Sequence, residues 1–353
     1  MSQALAFAIP GYALIFLLSG PHSVVAAMMW VVPLWLTVLV DMKLSVRNIG
    51  KPTPCSLPKW AYEAVLHALA ILFIINIGML LAMAAQLRWS SAADITTGLF
   101  NLFAIKIIVG TSSSFSGIIV AHELIHSPRR WRRQWGRLLL VLVCYEHFFT
   151  EHLRGHHRRV GTARDPATAY FGESYGAFWR RTVVAQFKSA WQLENQRLAL
   201  HDFVPIPARL MSHQVLQGLL AEVMVLAAIA YYAGFSALVA FVVQAFAAVR
   251  KLEAANYFEH WGLIRTDNHS DRGIAWDTDS WFTRYAIIGL SRHTDHHCSP
   301  RQPYYRLQRC EESPKLPYGY FAMAFLVVWM NGRFQDLAIR ELKARKLGPY
   351  VNG

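Results

Sequence analysis

Residues 97–126 read TGLFNLFAIKIIVGTSSSFSGIIVAHELIH, an apolar run that passes without a break into two histidines four residues apart. About 20 apolar residues in a helix cross the ~30 Å hydrocarbon core of a bilayer, and residues four apart share a helix face. The stretch therefore predicts a transmembrane helix, 97–121, that presents His122 and His126 together at one end. Its one basic residue, Lys106, sits nine residues from that predicted start, close enough to snorkel to the outer interface.

Outward from this helix the same pattern repeats. Apolar runs at 5–20, 23–40, 60–86, 213–232 and 236–257 make six predicted spans with 97–121. The first is read as a retained span rather than a cleaved signal, because no charged n-region precedes it. Ser19-Gly20-Pro21 and Tyr232-Ala233-Gly234-Phe235 are short uncharged turns, whereas Lys43, Arg47, Lys51 and Lys59, with Pro52, Pro54 and Pro58, fill a basic loop. Six spans put every basic loop, and both termini, on one side, as the positive-inside rule requires of the cytoplasmic face. Runs 138–149 and 320–330 are too short to cross.

The expected fold is all-α: an integral membrane protein of about six transmembrane helices in a single domain, 1–353. Segments 122–212 and 258–353 form its histidine-rich cytoplasmic cap. Composition agrees, since the 353 residues are 54% hydrophobic and only 16% charged, where soluble chains carry about a quarter charged. The net charge of +13 does not point to nucleic acid, because the basic residues lie between apolar runs and suit anionic lipid headgroups. Cys55, Cys144, Cys298 and Cys310 form no C-x-x-C pair and predict no disulfide framework.

Nine of the fifteen histidines fall in four clusters. These are His122 with His126, then His152 with His156 and His157, then His260, then His293 with His296 and His297. Helical spacing makes 122/126, 152/156 and 293/297 candidate pairs for one ion each, while His157 and His296 point elsewhere, to reach a second ion or to complete the first. Nine imidazoles exceed what one ion uses, so two metals are expected. Glu123, Glu151, Glu259 and Asp295 are candidate supports for the rings' second nitrogens, against a competing role in ion pairs with Arg154, Arg158 or Arg292. His22, His67, His147, His201, His213 and His269 are read as structural. H-E-x-x-H also marks zinc proteases, but a site of three protein ligands would leave most later histidines without a role.

The series HELIH, EHLRGHH, NYFEHWGL and RHTDHH closely resembles that of the bacterial alkane 1-monooxygenases. They belong to the integral-membrane di-iron family that also holds fatty acyl desaturases and xylene monooxygenase. The similarity extends through Asp165-Pro-Ala-Thr168, Gly172-Glu-Ser174, Ala190-Trp191, Glu194, Arg197-Leu198, Leu252-Glu253 and residues 314–320, PKLPYGY.

The resemblance implies six spans and a non-haem di-iron centre whose ligands are His122, His126, His152, His156, His157, His260, His293, His296 and His297. It implies O2 as co-substrate, a hydrophobic substrate (an n-alkane above all), and electrons from rubredoxin and rubredoxin reductase. The location implied is the bacterial inner membrane, with the site facing the cytoplasm. The basic residues Arg129, Arg130, Arg132, Arg133, Arg158 and Arg159 would dock the acidic carrier, with lipid headgroups as the competing partner. Trp30, Trp35, Phe100, Phe103 and Phe115 are candidates for an apolar substrate channel. Departures from the family pattern are the compact 261–291 segment, Asp279-Ser280-Trp281 where the family tends to have His-Ser-Trp, Ile125, and the run 128–133; they bear on substrate rather than reaction.

Three rivals are carried forward: a hydroxylase of aryl-methyl or terpenoid substrates, a lipid desaturase with the same metals, and a metal-binding membrane transporter or sensor. The last needs ligands near the bilayer midplane, whereas these clusters sit at helix ends.

Overall fold

The computed structural model describes residues 2–44, 57–199, 210–265 and 273–351. Arg47, Lys51, Pro52, Pro54, Cys55, His201 and His269 lie outside the described residues. Among the described residues the regular elements are all helical, and the only strand-like pairing is an isolated bridge between Asp277 and Lys315.

Five helices are long and apolar enough to cross a membrane: α2 (Val24–Lys43), α3 (Lys59–Ala84), α4 (Ala92–Ile125), α7 (Gln214–Tyr232) and α8 (Gly234–His260). The first expected span is a shorter apolar helix, Gln3–Ser19, whose α-helical part is α1 (Ala8–Ser19) and which Gly20 and Pro21 follow. Tyr320–Trp329 is likewise short and apolar. On α2 the residues Val25, Met29, Val32, Leu36 and Leu39 are exposed. They recur at three- and four-residue steps, so one whole apolar face looks outward. Water would penalise such a face, and lipid does not.

Length is what carries function here. The 34 residues of α4 span about 50 Å at 1.5 Å per residue, well beyond what the hydrocarbon core needs. The surplus reaches past the core and ends at the histidine pair. The helix starts at Ala92, five residues earlier than the sequence suggests, because Ser91 caps it by accepting from the Asp94 amide. Lys106 is therefore deeper in the helix than expected, on an exposed face.

The chain divides into two compact units. One comprises Met1–Thr37, Leu57–Glu146 and Gly218–Lys251. Its core includes Phe16, Phe73, Leu80, Ile105 and Ile108, each fully buried. Small residues let helices close up: a Cβ on Gly110 would lie 2.5 Å from the Ala247 methyl. Buried amides tie the segments together, Asn76 donating to Pro10 O at 3.0 Å and Asn101 to His22 O at 2.7 Å. His22 also stacks on Phe16, so its role is structural. In this unit α5 (Arg130–Val141) follows the end of α4.

The other unit comprises Val38–Ser56, His147–Gln217 and Leu252–Gly353. Its helices include α6 (Tyr175–Ala199), α9 (Trp281–Ala286), α10 (His293–Cys298), α11 (Tyr320–Trp329) and α12 (Asn331–Arg345). Trp261, Trp276, Tyr257, Phe258 and Phe334 form its core. The Glu173 carbonyl accepts from both Tyr257 Oη and Trp261 Nε1, which holds the end of α8 in register with the loop before α6.

Candidate metal centre

Three local structures deliver histidines in the second unit. The end of α8 carries His260. In α10, His293 and His297 are one helical turn apart, and the turn is pinned because the Thr294 amide donates to Asp277 Oδ1 at 3.1 Å and Thr294 Oγ1 to Ala275 O at 2.8 Å. The third is 148–159, whose middle, Glu151–His156, winds as a π-helix.

That winding corrects one expectation. In an α-helix His152 and His156 would share a face, but a π-turn brings residues five apart into register. Accordingly His152 Nε2 lies 3.0 Å from His157 Nε2, and His157 Nε2 lies 3.2 Å from His296 Nε2. His156 turns the other way. It joins His260, His293 and His297 in a group whose four ligand nitrogens all lie within 4.8 Å of one another, every ring buried. The 293/297 pair forms as its spacing predicts, and His296 goes to the other group. In the first unit His122 and His126 meet edge to face, ring centroids 5.0 Å apart.

The four-histidine group fits a metal ion. His156 Nδ1 faces Asp165 Oδ2 at 2.9 Å and His260 Nδ1 faces Ile274 O at 3.3 Å, so each ring spends its second nitrogen on an acceptor, as ligating imidazoles do. Their Nε2 atoms are buried without a hydrogen-bond partner. His293 and His297 point Nε2 at Nε2, 3.0 Å apart, an arrangement that a shared cation satisfies. Burial, reinforced by the surrounding rings of His293, His157, His156 and His260, drives His297 far below its ordinary value and keeps it neutral; neutral imidazole is the ligating form. His156 is the exception: burial pulls it down, but the charge and hydrogen bond of Asp165 outweigh that and raise it.

Asp165 was not singled out by sequence reasoning. It lies in Asp-Pro-Ala-Thr, where its Oδ1 accepts from the Ala167 amide and its Oδ2 from Thr168 Oγ1 at 2.6 Å. An Asp followed by Pro and a hydroxyl residue is the available signal: a self-capped turn that aims a carboxylate.

Among the four named carboxylates, Glu259 stands beside a ring, its Oε2 3.5 Å from His293 Nε2, while Oε1 accepts from Tyr320 Oη at 2.6 Å. Glu151 pairs with Arg159 at 2.9 Å instead; burial pushes its carboxyl up to about 7, opposed by Ser189 and Arg159. Asp295 accepts from Gln302 Nε2 and the Gln308 amide, away from the rings. Glu123 is half-buried. His147 packs against Phe187 and joins no histidine group among the described residues, and His213 packs on Trp191 while its Nδ1 accepts from the Leu216 amide.

The six arginines also separate. Arg129, Arg130 and Arg158 are exposed, whereas Arg132 pairs with Glu63 at 2.5 Å, Arg133 donates to Ser127 O and Pro128 O, and Arg159 holds Glu151 and Ser189. Of the aromatic candidates, Trp35 and Phe103 are exposed, each at 41%. Trp30 is held by Tyr12 and Phe16, while Phe100 and Phe115 are half-buried.

Comparison with known proteins follows the same lines. The sequence model of the fatty acid desaturase family matches residues 97–326. The chain is 35% identical over 62% of its length to alkane 1-monooxygenase 1 of Pseudomonas aeruginosa, a match that spans 58% of that protein. It is 31% identical over 86% of its length to alkane 1-monooxygenase 1 of Alcanivorax borkumensis, spanning 76% of that one. A more distant relative is the hydroxylase component of xylene/toluene monooxygenase from Pseudomonas putida, 26% identical over 56% of the chain. With the family's sequence model covering most of α4 and all four histidine clusters, this chain belongs to the fatty acid desaturase family, among relatives of the alkane 1-monooxygenases.

Proposed function

We propose that this protein is a di-iron monooxygenase of the bacterial inner membrane that hydroxylates a terminal or methyl C–H bond of a hydrocarbon, an n-alkane first of all. The observation that carries the reading is the buried group of His156, His260, His293 and His297, with nitrogens within 4.8 Å, of which His260 ends a helix of membrane-spanning length. The balanced reaction is RH + O2 + two electrons + two protons giving ROH + H2O. Bound iron would supply the activation of dioxygen. We assign one ion to that group and infer a second from the family resemblance.

The chain's own residues do the rest. Asp165 orients the His156 ring through Nδ1, and Glu259 places a carboxylate beside Nε2 of His293, the nitrogen turned toward His297. The apolar surroundings keep water from the reacting atoms. The exposed Arg129, Arg130 and Arg158 suit an acidic electron carrier of the rubredoxin type, with its reductase behind it, on a cytoplasmic face. The likeness to a xylene/toluene monooxygenase component supports one second reading, an aryl-methyl substrate, which shares the site and differs in the channel.

The test is turnover of purified, iron-quantified protein with rubredoxin, its reductase and a panel of n-alkanes, xylenes, terpenes and fatty esters under 18O2. Labelled primary alcohol with about two irons per chain is expected. Iron without an oxygenated product would point to desaturation, and protein unable to hold iron would overturn the reading.

A further inference from the structure

The start of α11 is capped from across the sequence. Its N-cap is Gly319, which has no side chain to offer, although the first amides of a helix need acceptors. Asp41, near the end of α2 and fully buried, fills that role: its Oδ2 accepts from the amides of Phe321 at 3.0 Å and Ala322 at 3.3 Å. The remaining early amide, Tyr320 N, donates to Thr283 Oγ1 at 2.9 Å, and that hydroxyl donates to Asp41 Oδ1 at 2.9 Å. Ser280, the N-cap of α9, donates its own hydroxyl to the same oxygen at 2.6 Å. A Cβ on Gly319 would fall on Asp41 Oδ1, so glycine there is the condition for the carboxylate's approach.

What α11 presents at its first residue makes this cap functional. Tyr320 Oη donates to Glu259 Oε1 at 2.6 Å, and the other oxygen of Glu259 lies 3.5 Å from His293 Nε2. Glu259 also directly precedes His260 in the chain. Tyr320 is thus the hydrogen bond that orients the carboxylate beside the His293 ring, and Asp41 with Thr283 fixes the backbone that carries Tyr320. No sequence pattern links Asp41 to this group; it lies one residue beyond the run 23–40, which reads only as apolar.

We propose that Asp41 is a positioning residue for the metal centre, acting through Thr283 and the α11 amides to set Tyr320 on Glu259. The inference rests on the metal reading above. If Asp41 works only through Tyr320, then removing the tyrosine hydroxyl leaves Asp41 with nothing further to transmit.

The test uses full-length protein loaded with 57Fe, reading iron retained under a chelator challenge together with the Mössbauer spectrum. Asp41→Asn and Tyr320→Phe are each expected to speed iron loss about tenfold, the low end for removing an outer support of a metal ligand, and to alter the spectrum alike. The double variant is expected to match Tyr320→Phe alone. Thr283→Val should reproduce the effect and Thr283→Ser, which keeps the hydroxyl, should restore the parent; this pair carries the test should Asp41→Asn fail to accumulate. Effects of Asp41→Asn and Tyr320→Phe that multiply would overturn the proposal, as would iron-loaded parent protein beside an unaltered Asp41→Asn. Parent protein that takes up no iron would overturn the metal reading and this inference with it.

Discussion

His156 Nδ1 and Asp165 Oδ2 lie 2.9 Å apart with both side chains buried, so this carboxylate fixes which nitrogen of the ring faces the other three histidines. Burial alone would raise the Asp165 carboxyl; the His156 charge and hydrogen bond, with Thr168, bring it below its ordinary value.

Asp165→Asn keeps the shape and loses the charge, so the ring is no longer held as a donor at Nδ1. Iron affinity is expected to fall about 10- to 100-fold, measured by metal analysis after dialysis against graded chelator. Unchanged retention would remove Asp165 from the support of the centre.

The π-wound sorting of rings predicts that neighbouring histidines do not substitute for one another. His156→Ala should abolish the same metal signal as His260→Ala or His297→Ala, and His157→Ala the same signal as His152→Ala. Mössbauer spectra of the 57Fe-loaded variants distinguish the two classes. Identical spectra from His156→Ala and His157→Ala would contradict the grouping.

His147 is held neutral by burial, its value pulled down from 6.5 to about 4. Between those values the unfolded chain binds a proton that the fold refuses, so its contribution is complete above pH 6.5 and is lost as pH falls toward 4. His297, also depressed, acts with the same sign, so the difference between variant and parent is what counts. His147→Phe should flatten the fall of Tm between pH 7 and pH 5 relative to the parent; parallel curves would refute the assignment.

Charge reversal separates the arginines. Arg129→Glu with Arg130→Glu should slow carrier-dependent turnover several-fold at low salt, converge with the parent as salt rises, and leave iron content unchanged. Arg132→Glu should instead lower stability by about 1 kcal/mol or more, because it opposes a half-buried Glu63. A salt-independent rate in the double variant would argue against docking there.

The sequence carried the helices and the histidines plainly. A span is a composition over about 20 residues, and ligand spacing is local, so His293 and His297 fall where four-residue spacing puts them. Three things were not legible. No residue pattern distinguishes π from α winding at 151–156, so the partner of His152 came out as His157. Asp165 sits in a turn without periodicity. Asp41 meets Ser280 across 239 positions, and only a folded chain shows that a glycine-capped helix borrows its acceptor from elsewhere. Trp35 and Phe103 show a further limit, since an apolar side chain reads the same whether it faces lipid or a channel.

A π-turn is an α-turn with one residue inserted, and Glu151–His156 holds such a turn between two histidine groups. Deleting one of Leu153, Arg154 or Gly155 would let the segment rewind as an α-helix in which His152 and His157, now five positions apart, stand four apart and still share a face. The extra residue thus keeps His152 aligned with His157 and spares His156 for the other group.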